Sequence, residues 1–120
     1  MSDAKSSGTE RYVPRRGDFA RMVLDPYTGR EQGGERPVLV LSNDAFIRLT
    51  GYALVAPITS RVRGWPFEVP IDPGLRVGGV VLTDQTRSVD YVSRHASYLG
   101  QAPDELIEKV LERLLAIVES

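Results

Sequence analysis

Cysteine is missing from this chain altogether, and histidine occurs once, at His95. The first absence excludes disulfides, thiolate metal sites and cysteine nucleophiles, and it fits a reducing compartment. The second excludes a general acid–base device built from paired imidazoles, and leaves His95 as a surface or edge residue. No set of His, Asp and Glu has ligand-like spacing, so the expected metal and cofactor content is none. No apolar run approaches the length of a membrane span. Met1 to Glu10 has no apolar core of a signal peptide. Together these predict a cytoplasmic protein with no membrane partner, a flexible N-terminal tail over residues 1–12 and a single domain over 13–120. A Walker loop, a dinucleotide fingerprint and a Gly-x-Ser-x-Gly elbow are also missing.

What remains is an ordinary soluble composition. The 120 residues are 42% hydrophobic and 26% charged, enough for one core without staples. The net charge of −1 argues against a general nucleic-acid binder. Its distribution is more informative. Of sixteen acids and fifteen bases, residues 101–120 hold five and two, which leaves eleven and thirteen for residues 1–100. Arginine outnumbers lysine thirteen to two. Genomic base composition accounts for most of that ratio, and a phosphate-binding face would require the arginines to cluster in space.

The apolar pattern reads as five or six short strands and one clear terminal helix. Phe19 to Leu24 follows the Gly17-Asp18 turn as a first strand. A polar loop runs from Asp25 to Glu35. Pro37 to Ser42 is nearly continuous apolar sequence, as in a strand buried on both faces, with Pro37 expected at its start or on an edge. Asn43 and Gly51 bracket a short helix. Tyr52 to Ile58, Trp65 to Ile71, Val80 to Leu82 and Thr86 to Val92 follow as strands. Prolines 66 and 70 assign the second of these to an edge. Pro103 suits the first position of the last helix, and Asp104 and Glu105 suit its positive end. Leu106, Ile107, Val110, Leu111, Leu114, Leu115, Ile117 and Val118 then recur at helical spacing. The expected fold is mainly β with α: a small, strongly bent antiparallel barrel with a C-terminal amphipathic helix.

The segment Glu31-Gln32-Gly33-Gly34-Glu35-Arg36-Pro37 carries the first candidate chemistry. A glycine-hinged loop delivers an arginine to a strand start, and arginine's rigid, permanently charged fork suits phosphate. Arg36 either grips an anion or pairs with Glu31 or Glu35 and pins the loop. Thr59, in Ala56-Pro57-Ile58-Thr59-Ser60, either donates to a phosphoryl oxygen or caps a turn. Glu31 either holds Arg36, acts as a base, or is a solvated charge. Gln85 and Arg87 read bases or phosphates, or belong to a ladder. Tyr27, Trp65 and Phe67 stack on bases or pack at the rim.

These pieces occur in an order that resembles the MazF/PemK (Kid) family of toxin endoribonucleases from type II toxin–antitoxin modules. The resemblance runs from about Val13 to Val118. It rests on Arg16-Gly17-Asp18, Gly29 through Ser42, Pro57-Ile58-Thr59-Ser60, Pro66-Phe67-Glu68-Val69, Asp84 through Asp90, and the terminal helix. It implies an SH3-like barrel working as a homodimer, and metal-independent cleavage of single-stranded RNA at short sequences. The RNA's own 2′-hydroxyl attacks, which leaves a 2′,3′-cyclic phosphate and a 5′-hydroxyl. It further implies neutralisation by a cognate MazE-like antitoxin, with no DNA bound by the toxin alone. The family's catalytic pair falls on Arg36 and Thr59, and its acid–glutamine pair on Glu31 and Gln32. Asp84, Gln85 and Arg87 fall on a stretch that faces RNA. Two features depart from the pattern: Arg30, where many relatives carry a small serine, and the polar extension Met1 to Glu10. Two other readings use the same barrel: a gyrase-inhibiting toxin and a catalytically silent binding module.

Overall fold

The computed structural model describes residues 11–24 and 34–119. Within them lie seven strands, β1 (Asp18–Val23), β2 (Glu35–Val40), β3 (Tyr52–Thr59), β4 (Glu68–Pro70), β5 (Val80–Leu82), β6 (Arg87–Asp90) and β7 (Ser97–Gln101). The helices are α1 (Asp44–Thr50) and α2 (Asp104–Val118), and a 3₁₀ turn covers Thr83–Gln85. All strand pairs are antiparallel, in the order β4-β5-β3-β2-β1-β7, with β6 also on β3. The sheet is barrel-like but its described edges, β4 and β7, do not pair with each other. No helix among the described residues is long and apolar enough to cross a membrane.

The bend originates in β3. One edge of this strand pairs with β2, while the other is divided. Tyr52 to Val55 pair with β6, and Ile58 and Thr59 pair with β5. The sheet therefore splits at the end of β3 and curls around two cores. Alternation assigns residues to them. Leu39, Leu41, Ala56, Ile58 and Phe19 face the core covered by Leu106, Ile107 and Val110 of α2. Val38, Val40, Ala53, Val55, Ala20 and Met22 face the core closed by Ile47 of α1. The continuous apolar run of β2 is thus buried on both faces, as its composition predicts.

The structure corrects several sequence-based boundaries. β2 starts at Glu35, two residues ahead of Pro37. Pro37 is tolerated because the β2–β3 ladder begins only at Val38↔Pro57, so its missing N–H falls outside that ladder. The strand expected over Trp65 to Ile71 is only Glu68–Pro70, but it is an edge strand as the prolines require. β7 has no counterpart in the sequence reading. Its Ser97, Tyr98 and Gln101 are exposed, so it lacks an apolar face, and a register shift between Phe19 and Ala20 interrupts its pairing with β1. Pro103 is the N-cap of α2 rather than its first turn residue. The apolar face of α2 meets the sheet from Leu106 to Leu114, and only its end is free: Leu115, Ile117 and Val118 are exposed.

Candidate RNA-binding groove

Strand ends and turns converge at one pole of the sheet. The β2–β3 ladder ends at Val38↔Pro57, with Arg36 two residues before that rung on β2 and Thr59 two residues after it on β3. Arg36 is exposed at the beginning of β2 and Thr59 is half-buried at the end of β3. Arg87 begins β6 beside Val55, and Gln85 ends the 3₁₀ turn just before it. These four side chains line one open cavity of about 770 Å³. Leu24, Ser60, Arg61, Arg63, Trp65 and Glu68 complete much of its wall.

Each group is placed by its local chemistry. The Thr59 hydroxyl accepts the amide of Arg61 at 3.1 Å, which occupies a lone pair and leaves its proton to be donated into the cavity. Gly79, the residue before β5, presses on Thr59. A Cβ built there would lie 2.1 Å from the Thr59 carbonyl oxygen, so only glycine permits this approach. Arg87 Nη1 reaches the Leu24 carbonyl at 3.5 Å, and Arg94 Nη1 donates to the same oxygen at 3.1 Å. The guanidinium of Arg63 lies 5.2 Å from the Trp65 ring centroid, a cation–π pair on the cavity rim. Glu68 is buried, and its carboxylate accepts the amides of Arg63 and Gly64.

The sequence-predicted residues separate clearly. Arg36, Thr59, Gln85 and Arg87 come together. Asp84 is exposed on the 3₁₀ turn and does not line the cavity, because adjacent residues of so tight a turn point in different directions. Arg30, Glu31, Gln32 and Tyr27 lie outside the described residues. Leu24 and Gly34 flank that segment and are joined by a hydrogen bond of 3.3 Å, with Leu24 in the cavity wall. His95 is exposed in a turn with φ 57, a surface residue as expected. Sequence reasoning missed Arg61, Arg63 and Glu68. The pattern Arg61-Val62-Arg63, directly after the Thr59-Ser60 hydroxyls, was the available signal for the arginines.

Four arginines, a presented hydroxyl and an indole in one open cavity define a small barrel protein with a groove for a phosphate-bearing polymer. Comparison with known proteins makes this specific. Residues 15–118 match the PemK-like, MazF-like toxins of type II toxin–antitoxin systems. The chain is 42% identical over 97 residues to the endoribonuclease toxin MazF of Escherichia coli K12, covering 80% of this chain and 86% of that protein. The crystal structure of MazF from Deinococcus radiodurans superposes with a TM-score of 0.82 at 42% identity, covering 92% of this chain and all of that one. A MazE–MazF crystal structure from the same organism gives a TM-score of 0.80 at 38% identity, covering 91% of this chain and 98% of that chain. The chain belongs to the PemK-like, MazF-like toxin family.

Proposed function

We propose that the cavity is the catalytic groove of a sequence-specific endoribonuclease toxin, with Arg36 and Thr59 acting on the scissile phosphate. The chain cleaves single-stranded RNA, inhibits translation and growth in doing so, and is neutralised by a cognate MazE-like antitoxin. The carrying observation is that Arg36, Thr59 and the pair Gln85 and Arg87, from three separated segments, line one cavity. Cleavage runs by attack of the substrate 2′-hydroxyl on the adjacent phosphorus. A P–O bond forms to that oxygen and the bond to the 5′-oxygen of the next nucleotide breaks. The products are a 2′,3′-cyclic phosphate and a 5′-hydroxyl.

Arg36 cannot serve as a conventional base, because a guanidinium does not release its proton in proteins. Its fixed positive charge stabilises the extra negative charge of the phosphorane, where charge develops during attack. The Thr59 hydroxyl donates to a non-bridging oxygen. Glu31 or water accepts the 2′-hydroxyl proton, and water supplies the proton that makes the departing 5′-oxygen a hydroxyl. Gln85 and Arg87, with Arg30 and Gln32, hold the strand on either side. Base choice is made by contacts to unstacked bases in such a groove.

The toxin acts in the cytoplasm as a homodimer, which covers apolar surface such as the exposed end of α2. The test is to incubate the purified chain with a long mixed-sequence single-stranded RNA, with and without chelator, and to map the ends. Cuts at one short motif, with cyclic-phosphate and 5′-hydroxyl termini unaffected by chelator, are expected. Intact RNA, or termini of the opposite chemistry, would overturn the reading.

A further inference from the structure

The connection Ser60–Phe67 supplies one wall of the groove, through Ser60, Arg61, Arg63 and Trp65. All eight of its residues are exposed and none belongs to a helix or strand. Such a segment has little burial to fix its shape, so its order must come from hydrogen bonds. Two are backbone bonds, from the Glu68 amide to the Trp65 carbonyl at 3.1 Å and from the Thr83 amide to the Phe67 carbonyl at 3.2 Å. Besides Thr59, two side chains from elsewhere provide the rest. Glu68 Oε1 accepts the amides of Arg63 at 3.1 Å and Gly64 at 2.9 Å, and Oε2 accepts Arg63 again at 3.2 Å. Arg113, on α2, donates Nη1 to the carbonyl of Pro66 and at 3.4 Å to that of Glu68.

Glu68 poses an electrostatic problem that points to its role. It is a carboxylate, 7% exposed, in a cavity also lined by Arg36, Arg61, Arg63 and Arg87. A negative charge there opposes RNA unless it does something else. Its contacts show what that is: both oxygens are directed at backbone amides of the loop, as charge-assisted hydrogen bonds. We propose that Glu68 and Arg113 are positioning residues, clamping the Arg63–Pro66 stretch of the wall, Glu68 through the amides of Arg63 and Gly64 and Arg113 through the carbonyl of Pro66, in the shape that grips RNA. Neither touches the reacting atoms. The clamp fixes where Arg63 stacks on Trp65, while the Thr59 hydroxyl itself holds the Arg61 amide. The proposal rests on the ribonuclease reading above.

Glu68→Gln separates this role from that of a mere groove charge, because the two give opposite signs. Removing a repelling charge tightens RNA. Removing half of the acceptor set loosens the wall and weakens RNA. The binding probe is a mixed-sequence single-stranded RNA with 2′-O-methyl riboses, which lacks the attacking hydroxyl. Trp65 is the only tryptophan in the chain, so its fluorescence anisotropy reports the order of this loop before any RNA is added.

For Glu68→Gln, a Kd increase of about tenfold is expected, as loss of a charge-assisted hydrogen bond brings. On cleavable RNA, KM should rise while kcat falls by less than about threefold. Trp65 anisotropy should drop in the RNA-free protein. Arg113→Ala should show the same signature at about fivefold, and Arg113→Lys should restore part of it, since one donor still reaches a carbonyl. Tighter or unchanged RNA binding with unchanged anisotropy overturns the clamp. So does a fall in kcat at constant KM, which would place Glu68 in the chemistry. Should Glu68→Gln not fold, Arg113→Ala decides alone, by the same two readouts. Failure of the wild-type chain to bind or cleave RNA would instead sink the ribonuclease reading, while the anisotropy of the variants still reports on the clamp.

Discussion

Two connections leave β3, one at each end, and they are built in opposite ways. The one before it, Asn43 to Gly51, makes its own hydrogen bonds. Asn43 Oδ1 accepts the Phe46 amide at 2.8 Å, the Gly51 amide returns to the Ile47 carbonyl at 2.8 Å with φ 74, and Ile47 is buried. The one after it, Ser60 to Phe67, has no helix or strand and is held by groups outside it: the side chains of Thr59, Glu68 and the distant Arg113, and the backbone amides of Glu68 and Thr83. A connection with its own caps is a stability element, and its exposed side chains are incidental. A connection held from outside leaves its own side chains free to face a ligand. It follows that damage to the first should be read as lost stability, and damage to the groove end as lost activity.

Arg36→Ala gives the largest expected effect and tests the second half of that contrast. The side chain is exposed and its Cβ environment is unaffected by truncation, so the melting temperature should stay within about 2 °C. RNA cleavage should fall about a hundredfold or more, the loss expected for one preorganised charge on the transition state. Cleavage at the wild-type rate would remove Arg36 from the catalytic pair.

Gly79→Ala should break the contrast deliberately, by striking stability and activity together. Gly79 has φ 109, and an added Cβ meets the Thr59 carbonyl at 2.1 Å and the Ser60 Cα at 3.0 Å. Relief requires the end of β3 to move, and Thr59 with it. The expected cost is about 1–3 kcal/mol of strain, together with a loss of cleavage beyond what the unfolded fraction explains. Gly78→Ala is the control, with nothing within 4 Å of its added Cβ. It should change stability by no more than about 0.5 kcal/mol. Equal behaviour of the two variants in thermal melts and RNA assays would show that the close approach does not position Thr59.

The same division governs what could be read from the sequence. The connection Asn43–Gly51 was legible at both ends, because its cap residues and its glycine act on backbone groups a few residues away. The buried run of β2 was legible because burial on both faces removes polar residues from the pattern. Arg36, Thr59, Gln85 and Arg87 were each legible as strand-end residues with phosphate chemistry, and the family pattern joined them. Glu68 was not. Its carboxylate matters through the amides of Arg63 and Gly64, and nothing in Phe67-Glu68-Val69 announces that it is buried. Arg113 was equally silent, because it occupies an ordinary polar position of the amphipathic α2. β7 escaped because its pairing with β1 carries it, rather than an apolar face of its own.

Asn43→Ala tests the self-contained connection. It removes the bond to the Phe46 amide and leaves an orphan donor at the start of α1. The expected cost is about 1 kcal/mol, seen as a drop of about 3–6 °C in melting temperature. Cleavage by the folded fraction should be unchanged, since Asn43 is not among the groove-lining residues. A loss of specific activity in Asn43→Ala would mean that α1 and the groove are coupled and that the two connections are not independent.

The smallest expected effect sharpens the point about self-sufficiency. Asp44, the first residue of α1, also has distant partners. Arg15 Nε lies 3.3 Å from its Oδ2, and the Arg16 amide donates to its Oδ1 at 3.3 Å. If α1 depended on these as the Ser60–Phe67 loop depends on Glu68 and Arg113, Arg15→Ala would cost as much as Asn43→Ala. It should not. The Arg15 side chain is 75% exposed, water screens the pair, and ordering a long side chain consumes most of the gain. A change below about 0.5 kcal/mol is expected, shrinking further as salt is raised. The Arg16 amide contact survives the substitution, so the variant isolates the ion pair. A loss near 1 kcal/mol in denaturant titration would show that α1 too is held from outside, and the distinction between the two connections would then rest on the groove side chains alone.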